Sequence, residues 1–194
     1  MGTTVYWMNV SVDGYIERTP GVHDGESWAR LDNELHGELN ARARDLSLSI
    51  EGRVIYDMMF PFWPDARNDP SQPEVMREFG HIWTDLPKVL VSNTRTTASH
   101  NTTIVGGDDV MGQLARIREE TDGRIGVGGP NLATQMLEAG LIDELMLFVH
   151  PAVLGAGRPL FDRLDTPLQL DLFETATYGD GVVLKRYAVR GAAA

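Results

Sequence analysis

Short apolar runs with the two-residue period of β-strands alternate along the chain with stretches of helical period, and Gly and Pro punctuate the boundaries. This alternation predicts an α/β protein: a three-layer α/β/α arrangement with a mostly parallel central sheet. The last two predicted strands flank Gly179-Asp180-Gly181, which predicts a C-terminal antiparallel hairpin at one edge of the sheet. The predicted strands span residues 4–10, 47–50, 88–92, 102–105, 124–127, 144–150, 173–178 and 182–189.

Apolar residues with a spacing of four predict the first helix, in which Leu31, Leu35 and Leu39 form one face up to about residue 46. Asp108 or Asp109 is expected to cap a later helix. The other predicted helices span residues 54–60, 74–83, about 108 to 123, and 130–140. Residues 61–73 form the only long stretch with no regular period.

The composition is that of one globular domain, residues 1–194, with 42% hydrophobic and 23% charged residues. The 28 acidic and 17 basic residues give a formal net charge of −11, which excludes nucleic acid and anionic membranes as favoured partners. We therefore expect a small-molecule ligand.

The chain has no cysteine, so disulfides, thiolate metal sites and cysteine nucleophiles are excluded. Its histidines lack the spacing of a metal site, and no metal is expected. The longest apolar segment, residues 145–154, is too short to span a bilayer. We expect a cytoplasmic protein.

Gly128 and Gly129 follow a predicted strand and open directly into a helix at Pro130. Free amides at a helix N-terminus form an anion site suited to a phosphate or pyrophosphate. The alternative is a tight turn that needs glycine for backbone reasons alone.

Two further strand ends carry polar residues. Arg53 follows Gly52 at the start of a predicted helix, where the helix dipole disfavours a cation. We therefore expect Arg53 to bind a ligand phosphate. The alternative is a surface Arg paired with Glu51 or Asp57. The predicted strand at 88–92 ends at Ser92 and is followed by Asn93 and Arg95. Carboxyl ends of parallel strands meet at the ligand crevice, so the three groups are expected to lie together.

These residues resemble the dihydrofolate reductase superfamily and, more closely, the RibD C-terminal domain of bacterial riboflavin biosynthesis. The resemblance spans about residues 5–189, and its motifs are Ser11-Val12-Asp13-Gly14, Gly52-Arg53, and residues 89–92, 127–132 and 151–161. It implies a dihydrofolate-reductase-like fold, NADPH as cofactor, and hydride transfer to a small heterocyclic acceptor. The activity would be similar to 5-amino-6-(5-phosphoribosylamino)uracil reductase or dihydrofolate reductase, and the family implies a homodimer.

The resemblance also assigns residues to the cofactor. Arg53, Ser92 and Asn93 would bind the adenosine 2′-phosphate end, with Gly52 and Val54 as further contacts, while the backbone at Asn9 and the side chain of Ile16 would flank the nicotinamide. The pyrophosphate would bind to Gly128, Gly129, Pro130, Asn131, Leu132, Ala133 and Thr134.

The substrate side departs from the family. His36 stands near the place of the carboxylate that binds the pterin in dihydrofolate reductases, and we expect it to be the proton donor or else a solvated helix residue. Trp7 and Trp28 are expected to contact the substrate. Trp28 ends Gly25-Glu26-Ser27-Trp28, which resembles a Glu-Ser-x-Trp piece of the riboflavin branch with one residue missing; its alternative role is packing on its own loop. Val127 stands where that branch has an acidic residue, which argues against the phosphoribosyl-pyrimidine substrate of that branch. The alternative function is a non-catalytic dinucleotide-binding protein that has lost the substrate-binding acid.

Overall fold

The computed structural model of the protein describes residues 1–19 and 27–191. Its strands are β1 (Thr3–Ser11), β2 (Tyr15–Arg18), β3 (Leu46–Gly52), β4 (Lys88–Val91), β5 (Thr102–Val105), β6 (Arg124–Gly128), β7 (Glu144–His150), β8 (Gly157–Pro159), β9 (Leu170–Thr177) and β10 (Val183–Val189). Its helices are α1 (Asn33–Arg44), α2 (Arg53–Met59), α3 (Trp63–Ala66), α4 (Glu74–Asp85), α5 (Val110–Glu120) and α6 (Pro130–Glu138).

The central sheet has the strand order β5-β4-β3-β6-β1-β7-β10-β9. The six strands from β5 to β7 pair in parallel, whereas β10 pairs antiparallel with both β7 and β9. The predicted mostly parallel sheet and the C-terminal antiparallel hairpin are therefore confirmed.

Helices cover both faces of this sheet because the two-residue period of the strands sends alternate apolar side chains to opposite sides. Tyr6 of β1 joins a core cluster with Leu132 of α6 and Leu114 of α5. Its neighbour Val5 joins another cluster with Leu35 of α1. Helix α4 packs against α1 on that second face. The predicted three-layer α/β/α arrangement is confirmed.

Local details differ from the sequence-based expectations. Helix α1 begins after Asp32, whose carboxylate accepts the Leu35 N–H at 2.8 Å, so Leu31 lies outside the helix and is exposed. The stretch 61–73 contains the short helix α3. Strands β2 and β8 form a separate two-stranded antiparallel sheet that the pattern did not predict. No helix among the described residues is both long and apolar enough to cross a membrane.

Candidate functional site

A cleft of about 970 Å³ lies at the carboxyl ends of β3, β4 and β6, on the side of the sheet that α5 and α6 cover. It is bounded by the start of α6, by α2 and by the small sheet of β2 and β8, which we call the flap. This is the edge of a parallel sheet at which ligands generally bind. The predicted site residues that line it are Ile16, Trp28, Gly52, Arg53, Val54, Ser92, Asn93, Gly129, Pro130, Asn131 and Leu132.

One end of the cleft is formed by backbone at the start of α6. Gly129 has φ +102°, a conformation that residues with a Cβ avoid. A Cβ on Gly128 would come within 3.3 Å of the Ile55 side chain, so glycine at the end of β6 allows α2 to pack closely against it. Because the first amides of a helix have no acceptor within it and Pro130 has no N–H, the N–H groups of Asn131 and Leu132 are the donors here. This arrangement can hold an anion.

Two predicted pyrophosphate residues are instead part of the helix itself. The Ala133 N–H donates to the Gly129 carbonyl at 3.0 Å. The buried Thr134 hydroxyl donates to the Pro130 carbonyl at 2.8 Å and accepts the Asp162 N–H at 3.0 Å. Neither residue lines the cleft, and Gly128 does not line it either. The Ala133 N–H therefore stabilises the first turn of α6, and the Thr134 hydroxyl links this turn to the loop at residue 162.

Next to Gly52, the Arg53 side chain lines the cleft, and Arg95 follows the cleft residue Thr94 without lining the cleft itself. Arg53 Nη1 donates to Asp57 Oδ2 at 2.9 Å, and Arg95 binds the other oxygen of the same carboxylate. Burial opposes ionisation of Asp57, but the hydrogen bonds and charges of Arg95 and Arg53 lower its pKa overall. The pairing of Arg53 with Asp57, one of the two alternatives from the sequence, is thus present. Arg53 nevertheless remains half exposed and lines the cleft.

Ser92 organises the turn beside these arginines. Its hydroxyl oxygen accepts the N–H groups of Thr94 at 3.2 Å and Arg95 at 3.0 Å, and it lies 3.4 Å from the Thr94 hydroxyl oxygen, where either hydroxyl can donate. The neighbouring Asn93 side-chain oxygen accepts the Gly107 N–H at 2.8 Å. The turn after β4 is therefore tied to the turn after β5.

The turn after β5 is a part of the site that our sequence reasoning missed. A Cβ on Gly106 would lie 2.6 Å from the Ser92 carbonyl oxygen, so glycine is required for the two turns to touch. Val110 and Met111, at the start of α5, line the cleft. The available signal was the Gly106-Gly107 pair between a strand and a helix, the same pattern as at Gly128-Gly129.

The flap contributes Ile16, Glu17, Arg158 and Pro159 to the cleft. Asp13 anchors it. Its carboxylate accepts the N–H groups of Leu154 at 3.1 Å and Gly155 at 2.7 Å as well as the Ser11 hydroxyl at 2.6 Å. The Ser11 hydrogen bond, followed by those two backbone N–H groups, lowers the pKa of Asp13 to about 2 although desolvation opposes the shift.

Trp28 lines the cleft and stands edge-on to the buried His150 at a ring-centroid distance of 5.5 Å. The Arg30 N–H donates to His150 Nδ1 at 3.0 Å, so the proton of the neutral ring is on Nε2, which donates to Asn9 Oδ1 at 2.9 Å. Desolvation lowers the pKa of His150 and favours this neutral form. Asn9 itself does not line the cleft.

Trp7 and His36 lie on the opposite face of the sheet. Trp7 packs against Phe148, with a ring-centroid distance of 6.3 Å. His36 is buried beside Trp63 and Phe79, so it is neither a cleft residue nor the solvated residue of our alternative. Helix α4, packed on α1, closes over it.

His36 already has an internal hydrogen-bond partner. The Asn40 amide nitrogen donates to the Val75 carbonyl and the Glu78 carboxylate, which leaves the Asn40 oxygen to accept the proton of His36 Nδ1 at 3.1 Å. Desolvation lowers the pKa of His36. Of the Glu-Ser-x-Trp-like piece, Gly25 and Glu26 lie outside the described residues.

Comparison with known proteins agrees with this geometry. The sequence profile of the RibD C-terminal domain matches residues 3–184. Uncharacterized protein YwjB of Bacillus subtilis (strain 168) is 37% identical over 186 residues, covering 93% of this chain and 95% of the relative.

Two solved structures share the fold. A pyrimidine reductase-like protein from Corynebacterium diphtheriae superposes with a TM-score of 0.65 at 14% identity, covering 97% of this chain and 92% of the other. A dihydrofolate reductase from Enterococcus faecalis, complexed with NADP(H) and a second ligand, superposes with a TM-score of 0.62 at 12% identity, covering 97% of both chains. The chain has a reductase-type fold, and by the profile match over residues 3–184 it belongs to the RibD C-terminal domain family.

Proposed function

We propose that this protein is an NADPH-dependent reductase that transfers hydride to a small heterocyclic acceptor. The observation that carries the proposal is the convergence of the α6 amides, the Ser92 turn and Arg53 on one cleft. The family is one of reductases, and the enterococcal relative in fold was solved with NADP(H).

The residues present fit this cofactor. A volume of about 970 Å³ lies at the upper end of the range for ligand pockets, about 300–1,000 Å³. Gly129 leaves the space beside Gly52 free, where a Cβ would lie 3.8 Å from the Gly52 nitrogen. Two adjacent regions offer hydrogen-bond donors for phosphates, one made of backbone amides and one of guanidinium groups.

In the proposed complex, Asn131 and Leu132 donate backbone N–H groups to the pyrophosphate, and Arg53 with Ser92 binds the 2′-phosphate. Met8, Ile16 and Trp28 line the apolar part of the cleft and keep water from the reacting atoms. The nicotinamide supplies the hydride when bound. The flap, held by Asp13, closes one side over the ligand.

The acceptor class follows from the family resemblance and from the pyrimidine reductase-like relative in fold. One observation favours the alternative of a non-catalytic dinucleotide-binding protein. Among the described residues that line the cleft, the carboxylates are those of Glu17 and Asp162, and each has a partner: Arg158 at 3.7 Å and the Asn131 amide at 2.9 Å.

Fluorescence titration with NADPH and NADH tests the proposal, because Trp28 lines the cleft. We expect NADPH to bind at micromolar concentration or below and to quench the tryptophan emission, and the quenching to shrink in Trp28→Phe. Absence of NADPH binding would contradict both functions. A screen for NADPH oxidation with pterins, folates, pyrimidines and quinones then separates them: turnover supports the reductase, and binding without turnover supports the binding protein.

We further propose a cytoplasmic homodimer, in keeping with the family resemblance. The edge strand β9 exposes Leu170, Leu172 and Phe173, and an apolar edge strand is a surface that a second copy can cover. Sedimentation equilibrium should give twice the chain mass of 21.5 kDa, and Leu172→Lys should shift it to the monomer. A monomeric mass for the unaltered protein would contradict the dimer.

A further inference from the structure

Asp57 lies beside the cleft and binds Arg53, which lines the cleft, and Arg95, which like Asp57 does not. Its two carboxylate oxygens bind two different guanidinium groups, those of Arg53 and Arg95. Arg53 comes from the start of α2, and Arg95 comes from the turn after β4. One carboxylate therefore brings together two cations from separate segments, and the three side chains carry a net charge of +1.

Both charges of the Arg53–Asp57 pair interact unfavourably with the dipole of α2. Arg53 is the first residue of the helix, where a cation is disfavoured, and Asp57 lies in its second half, where an anion is disfavoured. The order of cation before anion at a spacing of four is also the weaker one for helix stability. The arrangement therefore does not serve to stabilise α2.

The Asp57 carboxylate also reduces the number of hydrogen-bond donors and the positive charge that Arg53 presents to a ligand. Arg53, which lines the cleft, donates an N–H to Asp57 that a phosphate would otherwise accept, and the negative charge of Asp57 repels a phosphate dianion at the same place. The effect is moderate because the side chains are partly exposed, with 51% exposure for Arg53, 30% for Asp57 and 36% for Arg95.

From this geometry we propose that Asp57 is a positioning residue that sets the preference between NADPH and NADH by sharing the Arg53 guanidinium with the 2′-phosphate. The proposal rests on the proposed function. Asp57 acts on the 2′-phosphate alone, because the pyrophosphate and the second ribose are common to both dinucleotides. Its presence weakens the preference for NADPH that Arg53 would otherwise give.

The test is the ratio of the NADPH and NADH dissociation constants in Asp57→Asn. This variant keeps the shape of the side chain and removes its charge. We expect NADPH to bind about threefold to fivefold more tightly and NADH to bind unchanged, the size expected for a partly exposed ion pair. Asp57→Glu, which restores the carboxylate, should return the ratio towards that of the unaltered protein.

Asp162→Asn is the matched control. It removes a carboxylate that lines the same cleft beside α6, so it should change the two dissociation constants by the same factor and leave their ratio unaltered. The gain in Asp57→Asn should also shrink at high salt, because it arises from partly exposed charges.

The possible failures are distinguishable. If the unaltered protein binds neither dinucleotide, both the proposed function and this inference are overturned. If it binds NADPH but Asp57→Asn leaves the ratio unchanged, or weakens NADPH binding, the inference alone is overturned and Asp57 serves only to hold the α2 and β4 segments together.

Discussion

The polar groups on the two faces of the central sheet differ in their exposure to solvent. On the face of α5 and α6, polar groups at the strand ends are open to the cleft: Arg53 is half exposed, and the α6 amides and the Ser92 hydroxyl border the same space. On the face of α1 and α4, polar groups are enclosed. Glu51 is 4% exposed and Lys88 is 2% exposed.

Each of these enclosed side chains makes internal hydrogen bonds, although the Glu51 Oε2 atom has no hydrogen-bond partner among the described residues. Trp83 Nε1 donates to Glu51 Oε1 at 3.1 Å, and burial raises the pKa of Glu51. Lys88 Nζ donates to the Leu86 carbonyl at 2.7 Å, and burial lowers its pKa to about 8. His36 is enclosed in the same way. The titratable side chains of Glu51, Lys88 and His36 are thus part of the packed interior. Backbone amides and an arginine side chain form the candidate site instead.

The largest effect is expected at the backbone end of the cleft. Gly129→Ala forces a Cβ into φ +102°, which costs about 1–3 kcal/mol in free energy of unfolding or displaces the first turn of α6. Binding of NADPH and NADH should weaken together, by more than about tenfold, because the α6 amides lose their positions. Titration and urea denaturation measure the two effects.

Gly140→Ala is the control at the other end of the same helix. Gly140 also has positive φ, +69°, and a Cβ there would meet nothing within 4 Å. We expect a loss of about 1 kcal/mol in unfolding free energy, with unchanged dinucleotide binding. Equal loss of binding in both variants would show that stability, not the amide site, is responsible.

Removal of the arginine charge should act more selectively. Arg53→Ala is expected to weaken NADPH binding by about tenfold and NADH binding by less than about twofold, because charge-assisted hydrogen bonds to a phosphate are lost only with NADPH. Arg190→Ala is the control: Arg190 is similarly exposed and also paired with one carboxylate, Asp171, but lies at the β9–β10 edge. Equal weakening of both dinucleotides by Arg53→Ala would remove the proposed 2′-phosphate role.

On the enclosed face, His36→Ala should change stability without changing the site. We expect a loss of about 1–3 kcal/mol in unfolding free energy from the lost packing against Trp63 and Phe79 and the lost Asn40 hydrogen bond. Dinucleotide binding and the pH profile of any turnover should be unaltered. A shifted pH profile in a folded variant would restore His36 as the proton donor.

The smallest effect is a pH dependence of stability from the two buried histidines. Desolvation holds their folded-state pKa values below the ordinary histidine pKa of about 6.5, so the unfolded chain takes up protons first as the pH falls below that value. Their stabilising contribution is complete above that pH and declines below it. His150→Asn should reduce the slope of unfolding free energy against pH between pH 7 and 5, and an identical slope would contradict the neutral buried state of His150.

The comparison of the two faces also explains what the sequence could predict. The sheet and the turns at Gly52 and Gly128-Gly129 were predictable because strand period, glycine and a helix start are local signals. The enclosure of His36 depends on α4 packing on α1, which no local pattern encodes. The flap pairs Tyr15 with Pro159, and each of its strands is too short to show a period.

The central claim is that NADPH binds at the α6 amides and Arg53, and amide chemical-shift mapping tests it most directly. In ¹H–¹⁵N spectra, addition of NADPH should move the signals of Gly129, Asn131 and Leu132 most, together with the Arg53 side-chain N–H, while His36 and Lys88 stay in place. NADH should move the α6 signals but not the Arg53 side chain. Shifts centred on the α1–α4 face, or no shifts at millimolar NADPH, would contradict the account.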